Sequence, residues 1–506
     1  MNVDQGASRG ASGADAALRI AFDNSYARDL EGAYAPVQPQ AWPAARLLLL
    51  NEGLADELGV PVAALRGPAG LGLLSGNALP EGATPIAQAY AGHQFGGFSA
   101  QLGDGRAMLV GELIDRHGQR RDIAFKGSGR TPFSRGGDGR AALGPVLREY
   151  LIGEAMQALG IPTTRALAVI ATGEQIRRDR PLPGALLVRV ASSHLRVGTF
   201  EFFAARRDEA MLRRLLAYAV ARHAPEWQGR ADAALGLLQS VVRRQAALVA
   251  QWMGVGFIHG VMNTDNMTIS GETIDYGPCA FLEHYDPAAV FSSIDEGGRY
   301  AYGNQPGIAQ WNLARLAEAL LPLIEADEQR AIELATGALQ DFTPIFGQQW
   351  LGVMRRKLAL GNDGDDEADR ALVEDLLSLM QSQRVDWTLG WRQLPADGVP
   401  ADAWLARFGE ASVAAGAWLE RWQRRLATES RTLPAGAALA AANPAVVPRN
   451  HHVEAALAAA GGGDLQPFEA LLAAIRRPFD AQQDNTAFAE PAARDFTACY
   501  RTFCGT

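Results

Sequence analysis

Residues 259–277 read HGVMNTDNMTISGETIDYG and place oxygen-bearing side chains at regular distances after a histidine. Asn266 follows His259 by seven residues, and Asp275-Tyr276-Gly277 begins nine residues after the asparagine. Asparagine and aspartate supply the hard oxygen ligands that divalent cations prefer. The stretch therefore predicts a loop that holds a divalent metal ion beside a phosphate group.

This spacing fits the catalytic loop of protein kinases, which reads H-x-D, four residues, N, and later D-F-G. The histidine, the asparagine and the Asp-Tyr-Gly triplet fit the frame, but Val261 stands where kinases have the catalytic aspartate. Valine cannot accept the proton of a substrate hydroxyl. Asp265 is the nearest carboxylate able to act as a base or to orient the hydroxyl. An inactive pseudokinase is the alternative.

Two upstream features supply the other parts that phosphate transfer needs. The segment QLGDGR (101–106) lies between two β-type segments, where a glycine-rich loop would cover a nucleotide. Lys126 ends the apolar strand DIAFK, and Glu149 lies 23 residues later in a predicted helix, where it could pair with the lysine. Taken singly, such glycines are commonly turns and such lysines are commonly solvated.

A third feature is an arginine-rich stretch in an acidic protein. Residues 127–140, GSGRTPFSRGGDGR, contain three arginines among glycines, and Arg189 and Arg196 lie at and beyond a later predicted strand. Guanidinium groups bind phosphate oxygens in pairs, so the pattern favours a second phosphate pocket. A solvated basic loop is the alternative.

The hydrophobic pattern changes along the chain, from short runs typical of β-strands to long patterns typical of amphipathic helices. We predict strands at 107–113, 122–125, 166–171 and 185–190, and helices at 146–159 and 233–253. This predicts an α+β, protein-kinase-like fold with two lobes and helical N- and C-terminal extensions. The predicted parts are an N-terminal extension with a disordered tail and then helices (1–84), an N-lobe (85–200), a C-lobe with the catalytic loop (201–325) and a mainly helical C-terminal region (326–506).

Composition excludes some function classes. The 506 residues carry a net charge of −9, which argues against a binder of nucleic acid or of anionic membranes. The chain has no long apolar run and its first residues lack a signal pattern, so we expect a cytoplasmic protein. Three cysteines are too few for a disulfide scaffold.

Five strings occur in one order across about residues 85–320: YAGHQFGGF, QLGDGRA, FKGSGRTPFSRGGDGRA, HGVMNTDNM and IDYGP. On these strings the chain resembles the selenoprotein O family of pseudokinases, in its bacterial form with cysteine. The resemblance implies transfer of AMP from ATP to Ser, Thr or Tyr hydroxyls of proteins. It also implies an ATP that is inverted relative to kinases, so that the α-phosphate faces the acceptor and pyrophosphate leaves.

The resemblance also implies roles for individual residues. It makes Asp265 the proton acceptor and makes Asn266 and Asp275 the ligands of Mg²⁺ or Mn²⁺. Transfer of UMP from UTP is a further implied activity. The implied nucleotide contacts are Gly103, Gly105, Arg106, Lys126, Asp138, Gly139, Arg189, Arg196 and Asp275.

Members of this family commonly carry a redox-active residue near the C-terminus, which implies a disulfide between Cys504 and Cys279. Cys499 is a competing partner, and three unpaired thiols are the alternative. We expect a monomer. Two other functions stay open: a conventional kinase that uses Asp265 as a displaced base, and a scaffold that binds nucleotide without turnover.

Overall fold

The structure, a computed structural model, describes residues 20–430 and 432–503. The tail predicted over the first 15 or so residues lies outside these ranges. The strands are β1 (Tyr34–Pro36), β2 (Arg46–Leu50), β3 (Ile86–Gln88), β4 (Gly92–Gln94), β5 (Gly97–Ser99), β6 (Ala107–Ile114), β7 (Arg120–Lys126), β8 (Ala141–Ala142), β9 (Arg165–Arg177), β10 (Pro181–Ala191), β11 (Phe257–Ile258) and β12 (Ala280–Phe281).

One antiparallel sheet dominates the first half of the chain. Its strand order is β1-β3-β6-β7-β10-β9-β2, and β8 pairs with β10. The predicted strands at 107–113, 122–125, 166–171 and 185–190 are observed as its central members. Lys126, at the end of β7, lies opposite Ala107 of β6 and Leu187 of β10. The sheet therefore holds the lysine from both sides.

The N-terminal extension differs from the helical segment that we expected. Its described part, from residue 20 onward, forms four short helices, but it also contributes β1 and β2, which pair with β3 and β9 and form the two edges of the sheet. The open edges of the central strands need backbone partners, and these two segments supply them. The run RLLLL of β2 is too short for periodicity to distinguish strand from helix.

Helices dominate the remainder of the chain, so the α+β class and the helical C-terminal region are confirmed. The helices are α1 (Ser25–Asp29), α2 (Glu52–Glu57), α3 (Val62–Arg66), α4 (Pro68–Ser75), α5 (Leu143–Ala158), α6 (Val197–Ala205), α7 (Glu209–His223), α8 (Ala233–Val255), α9 (Gln305–Ile324), α10 (Glu328–Gln340), α11 (Phe342–Lys357), α12 (Asp366–Ser382), α13 (Trp387–Arg392), α14 (Asp402–Leu405), α15 (Ser412–Leu426), α16 (Ala435–Ala442), α17 (Asn450–Gly461), α18 (Gln466–Ile475) and α19 (Arg494–Cys499).

The C-terminal helices fix the position of α5, the helix that carries Glu149. Arg148 of α5 forms an ion pair with Glu454 of α17. Arg476, at the end of α18, lies 2.9 Å from Glu154 of α5. Because α5 also packs on β9 and β10, it is held between the sheet and the C-terminal region. Movement of the glutamate relative to the sheet is thereby restricted.

Two hydrophobic cores stabilise the protein. The larger one joins the sheet, α5 and the long helices α8 and α9. The second lies under the C-terminal helices and contains the buried indoles Trp387, Trp391, Trp404, Trp418 and Trp422. Within the described ranges, none of the helices combines the length and apolar character that crossing a bilayer requires.

Candidate active site

Lys126 ends β7 with its ammonium group between two carboxylates. Its Nζ lies 2.5 Å from Glu149 Oε2 and 2.7 Å from Asp275 Oδ1. Burial raises the pKa of Glu149, but the charges of Arg189 and Lys126 outweigh burial and hold that pKa below its usual value. Glu149 is therefore ionised near neutral pH. The ammonium is fixed where sheet, helix and the Asp-Tyr-Gly segment meet.

Asp275 is surrounded by cations. Besides Lys126, Arg189 lies 2.6 Å from its Oδ1 and Arg196 lies 3.2 Å from its Oδ2. Burial opposes ionisation, yet Arg189, Lys126 and Arg196 hold the pKa of Asp275 well below its usual value. The residue has a φ of 64°, in the left-handed region that side chains disfavour. Such backbone strain is found mostly at functional sites.

Arg196 connects the Asp-Tyr-Gly segment to the loop before it. It precedes α6, and its Nη1 donates to the backbone oxygen of Asp265 at 2.7 Å. Its guanidinium lies 4.6 Å from the ring centre of Tyr90, a favourable cation–π geometry. One buried arginine therefore orients both carboxylate-bearing segments.

Asp265 lies in a single 3₁₀ turn, Thr264–Asn266, directly before the predicted metal ligand. Its Oδ2 accepts from Gln94 Nε2 at 3.3 Å, and its buried Oδ1 has no hydrogen-bond partner among the described residues. Burial raises the pKa of Asp265 to about 6. Val261 is buried and has no acceptor atom in its side chain. Within residues 259–266, Asp265 is the one carboxylate, and it lines a cavity.

A cavity of about 740 Å³ connects these groups. Glu149 does not line the cavity itself, but it is paired with Lys126, which does. Gly103 has a φ of 82°, and a side chain there would collide with the Phe133 ring, so the first loop requires glycine. The residues that the sequence assigned to nucleotide, base and metal all line the cavity: Gly103, Gly105, Arg106, Lys126, Asp138, Gly139, Arg189, Arg196, Asp265, Asn266 and Asp275.

The arginine-rich stretch faces the same cavity. Arg130, Arg135 and Arg140 line it, together with Arg178. Arg178 lies 2.8 Å from Asp138, and this hydrogen bond is the largest cause that lowers the pKa of Asp138. The arginines of the stretch therefore belong to the cavity lining, with Arg130 and Arg135 exposed to solvent, and their role in binding phosphate stays a prediction.

The oxygen donors of the cavity fit a divalent cation. The amide nitrogen of Asn266 donates to the Val261 oxygen at 3.1 Å, which leaves the amide oxygen for a ligand. The carboxylates of Asp275 and Asp265 belong to residues that line the same cavity. The described residues contain no cluster of three or more His, Cys, Asp or Glu side chains at metal-binding distances. Two protein oxygens plus substrate phosphates are a common environment for Mg²⁺.

The predicted disulfide involves a residue outside the described ranges, Cys504. Cys279 is buried, and burial raises the pKa of its thiol to about 12, which disfavours the reactive thiolate. Thr502 Oγ1 donates to the Pro278 oxygen at 2.7 Å, so the C-terminal segment runs beside the neighbour of Cys279. Cys499 is exposed. The pairing of Cys279 with Cys504 stays a prediction.

A family model described as protein adenylyltransferase SelO matches residues 16–476. The chain belongs to the SelO family. The resemblance found in the sequence motifs is therefore confirmed over nearly the whole chain.

Curated relatives agree with this SelO-family assignment. A protein nucleotidyltransferase YdiU from Cereibacter sphaeroides is 59% identical over 97% of this chain and 100% of the relative. Proteins of the same name from Chromobacterium violaceum and Rhizobium meliloti are 55% and 54% identical, over 94% and 96% of this chain and 99% of each relative.

Sequence reasoning missed several residues of this SelO-family site. Arg178 follows β9 with no local motif, and its approach to Asp138 depends on a strand pairing. Tyr90 and Gln94 belong to the quoted string YAGHQFGGF, but their contacts with Arg196 and Asp265 could not be read from it. The unusual string indicated that these residues are important, but it did not indicate which residues they contact.

Proposed function

We propose that this chain transfers AMP from ATP to Ser, Thr or Tyr hydroxyls of proteins and releases pyrophosphate. Membership of the SelO family supports the enzyme class, a protein nucleotidyltransferase. The observation that carries the residue assignments is the single cavity in which Asp265, Asn266 and Asp275 lie together with Lys126 and buried arginines.

Asp265 is the proposed proton acceptor. It would take the proton of the acceptor hydroxyl while the hydroxyl oxygen bonds to the α-phosphorus and the bond from that phosphorus to the β-phosphate oxygen breaks. A carboxyl with a pKa near 6 is mostly ionised at neutral pH and accepts a proton more readily than an ordinary aspartate. Val261 at the usual base position supports this displaced role.

Asn266 and Asp275 are the proposed ligands of Mg²⁺ or Mn²⁺, which when bound neutralises charge on the phosphates. Asp275 is kept ionised by its cationic partners. Lys126, Arg189 and Arg196 are held in place by that carboxylate, so they are positioned before phosphates arrive. Preorganised charges of this kind stabilise a transition state without the cost of reorganisation.

The distribution of arginines supports an inverted nucleotide. One group, Arg189 and Arg196, lies beside Asp275, and a second group lies on residues 127–140 and at Arg178. We propose that the α-phosphate lies near Asp265 and that the terminal phosphates bind the second group. UTP is a proposed second donor, because the phosphate-binding groups do not depend on the base.

The architecture we propose is that of a protein kinase. The strand-end lysine paired with a helix glutamate, the loop at 259–266 and the Asp-Tyr-Gly segment support it. We propose lobes at 85–200 and 201–325, with β1 and β2 of the 1–84 extension completing the N-lobe sheet and the 326–506 region packed on α5. The monomeric state and cytoplasmic location stay predictions, which light scattering and cell fractionation test.

The test is intact-mass analysis after incubation with ATP and Mg²⁺ or Mn²⁺, with Asp275→Asn alongside. A gain of one AMP per site, absent in the variant, is the expected result. A gain of phosphate would indicate a conventional kinase with a relocated base. Nucleotide binding without any gain, on the chain or on added protein, would indicate a scaffold.

A further inference from the structure

A short hairpin lies at the mouth of the cavity, apart from the large sheet. Strands β4 and β5 pair only with each other in the described residues and join through Phe95 and Gly96. Phe95 is 39% exposed and Phe98 is 45% exposed, unusual values for phenylalanine. Ile294, 48% exposed, lines the same cavity as Phe95. We call Phe95, Phe98 and Ile294 the apolar rim.

The hairpin is bonded to three consecutive residues of the loop that carries the proposed base. His93 N donates to Thr264 Oγ1 at 2.7 Å, and Phe95 N donates to Asn263 Oδ1 at 3.1 Å. The side chain of Gln94 reaches Asp265, as described above. These bonds make the position of the hairpin depend on the position of the base.

Close packing adds to these bonds. A Cβ at residue 92 would lie 2.7 Å from Asp265 Oδ1, which is too close for a non-bonded carbon, so Gly92 is required for the approach. His93 contacts the carboxylate of Glu201, and its ring meets Trp311 edge-on at 5.3 Å. The hairpin is therefore supported through His93 by the Glu201 carboxylate and the Trp311 ring.

The tip of the hairpin is supported in the same way. The ring of Phe95 meets Tyr300 edge-on at 5.2 Å, and the Tyr300 hydroxyl donates to Asn263 Oδ1 at 2.7 Å. Phe95 adopts a φ of 51°, a conformation that such contacts must stabilise. Phe95 is thus held in a fixed position on the cavity lining, and Phe98 follows it in the same hairpin with its ring 4.9 Å from that of His93, although exposure of both rings costs free energy.

We propose that the apolar rim is the docking surface for the acceptor polypeptide, and that it selects a hydroxyl residue flanked by an apolar side chain. The proposal rests on the proposed function. Gln94 contacts Asp265, and both line the cavity together with Phe95, so a hydroxyl placed at Asp265 lies close to the hairpin and the polypeptide that carries it can contact the rim.

The cavity interior and the apolar rim differ in chemistry, so we expect them to bind different groups. The interior of the cavity is lined by arginines and suits phosphates, whereas the rim offers apolar surface that a polypeptide side chain would bury. Exposed aromatic side chains held in place are typical anchors of protein interfaces.

The test compares two fluorescent peptides, one with serine between leucines and one with serine between glutamines. Binding is measured by anisotropy in the presence of a non-hydrolysable ATP analogue, and transfer is measured with α-labelled ATP. We expect the leucine peptide to bind about tenfold more tightly. Phe98→Ser and Ile294→Ser should each remove most of this preference, while both variants still bind the ATP analogue.

Ile114→Ser is the matched control, because Ile114 is also 48% exposed but lies at the end of β6, outside both the hairpin and the cavity lining. It should retain the preference for the leucine peptide. Equal binding of both peptides by the wild type, or a preference that survives both rim variants, overturns the proposal. Loss of ATP-analogue binding in the rim variants would assign the rim to the nucleotide, and a concentration-dependent dimer lost in them would assign it to a second copy.

These readouts distinguish the docking surface from the proposed reaction. Peptide preference without label transfer would support the docking surface and count against the proposed reaction. Label transfer without peptide preference would support the reaction and overturn the docking surface.

Discussion

Lys126 Nζ lies 2.7 Å from Asp275 Oδ1, although 149 residues separate them in the sequence. Arg189 donates to the same oxygen at 2.6 Å and also bonds to Glu149. The buried carboxylate of Glu149, the partly exposed carboxylate of Asp275 and two cations thus join the sheet, α5 and the Asp-Tyr-Gly segment. Because removal of one member leaves charges unpaired, we expect this cluster to contribute to stability as well as to the proposed reaction.

Asp275→Asn should reduce AMP transfer by about two orders of magnitude or more, because it removes a proposed metal ligand. It should also lower the melting temperature, since buried cations lose their anionic partner. Label from α-labelled ATP and a thermal melt measure the two effects. Asp375→Asn, in an exposed ion pair with Arg421, is the control and should change neither. Full activity in Asp275→Asn would refute the metal assignment.

Asp265→Asn should lower kcat by about 10²–10⁴-fold, the usual contribution of a general base. The affinity for ATP should change little, because the backbone oxygen that Arg196 binds is retained. Steady-state kinetics and calorimetric titration of an ATP analogue separate these effects. An unchanged kcat would show that another group accepts the proton.

Arg178→Ala should weaken ATP binding by about three- to tenfold. The substitution removes a cavity arginine and also frees Asp138, which is bonded to Arg178 at 2.8 Å. Arg177→Ala is the matched control, because the Arg177 side chain is next to Arg178 in the chain but is exposed and does not line the cavity. Equal affinities in the two variants would exclude a role for Arg178 in the nucleotide site.

Chelation by EDTA should abolish transfer, and added Mg²⁺ or Mn²⁺ should restore it. In the absence of nucleotide, EDTA should leave the melting temperature unchanged. The reason is that the described residues provide no metal cluster of their own, so the cation is held jointly with phosphates. A drop in melting temperature with EDTA alone would indicate a structural metal instead.

Lys357→Met should stabilise the protein near neutral pH. Lys357 is 4% exposed, and burial lowers its pKa from 10.5 to about 7. Between these values the unfolded state binds the additional proton, so wild-type stability rises with pH, by up to about 1.4 kcal/mol per pH unit. The advantage of the Met variant should therefore be largest at pH 7 and vanish near pH 10.5. Urea unfolding at several pH values measures it, and a difference independent of pH would contradict a neutral lysine.

Some of the site followed from residue types and spacing. The segment 259–277 indicated that Asn266 and Asp275 would lie together, because the two residues are close in the chain, and both line one cavity. The Lys126–Glu149 pair was predictable because a strand end and a following helix are neighbours in many folds. Edge strands β1 and β2 were not predictable, since their partners lie far away in the sequence.

The sequence by itself determined the family, the α+β class, the central strands and the chemical types of the groups in the cavity, because those depend on residue identity and short-range spacing. Only the tertiary structure decided which polar groups meet: Arg178 with the Asp138 carboxylate, Arg196 with the Asp265 backbone oxygen and Gln94 with the Asp265 carboxylate. It also placed Phe95 of one hairpin on the cavity lining and left Phe98 exposed on the following strand. Such contacts depend on the packing of distant elements, and hydrogen bonds and ion pairs form only after that packing has brought their atoms within about 3 Å.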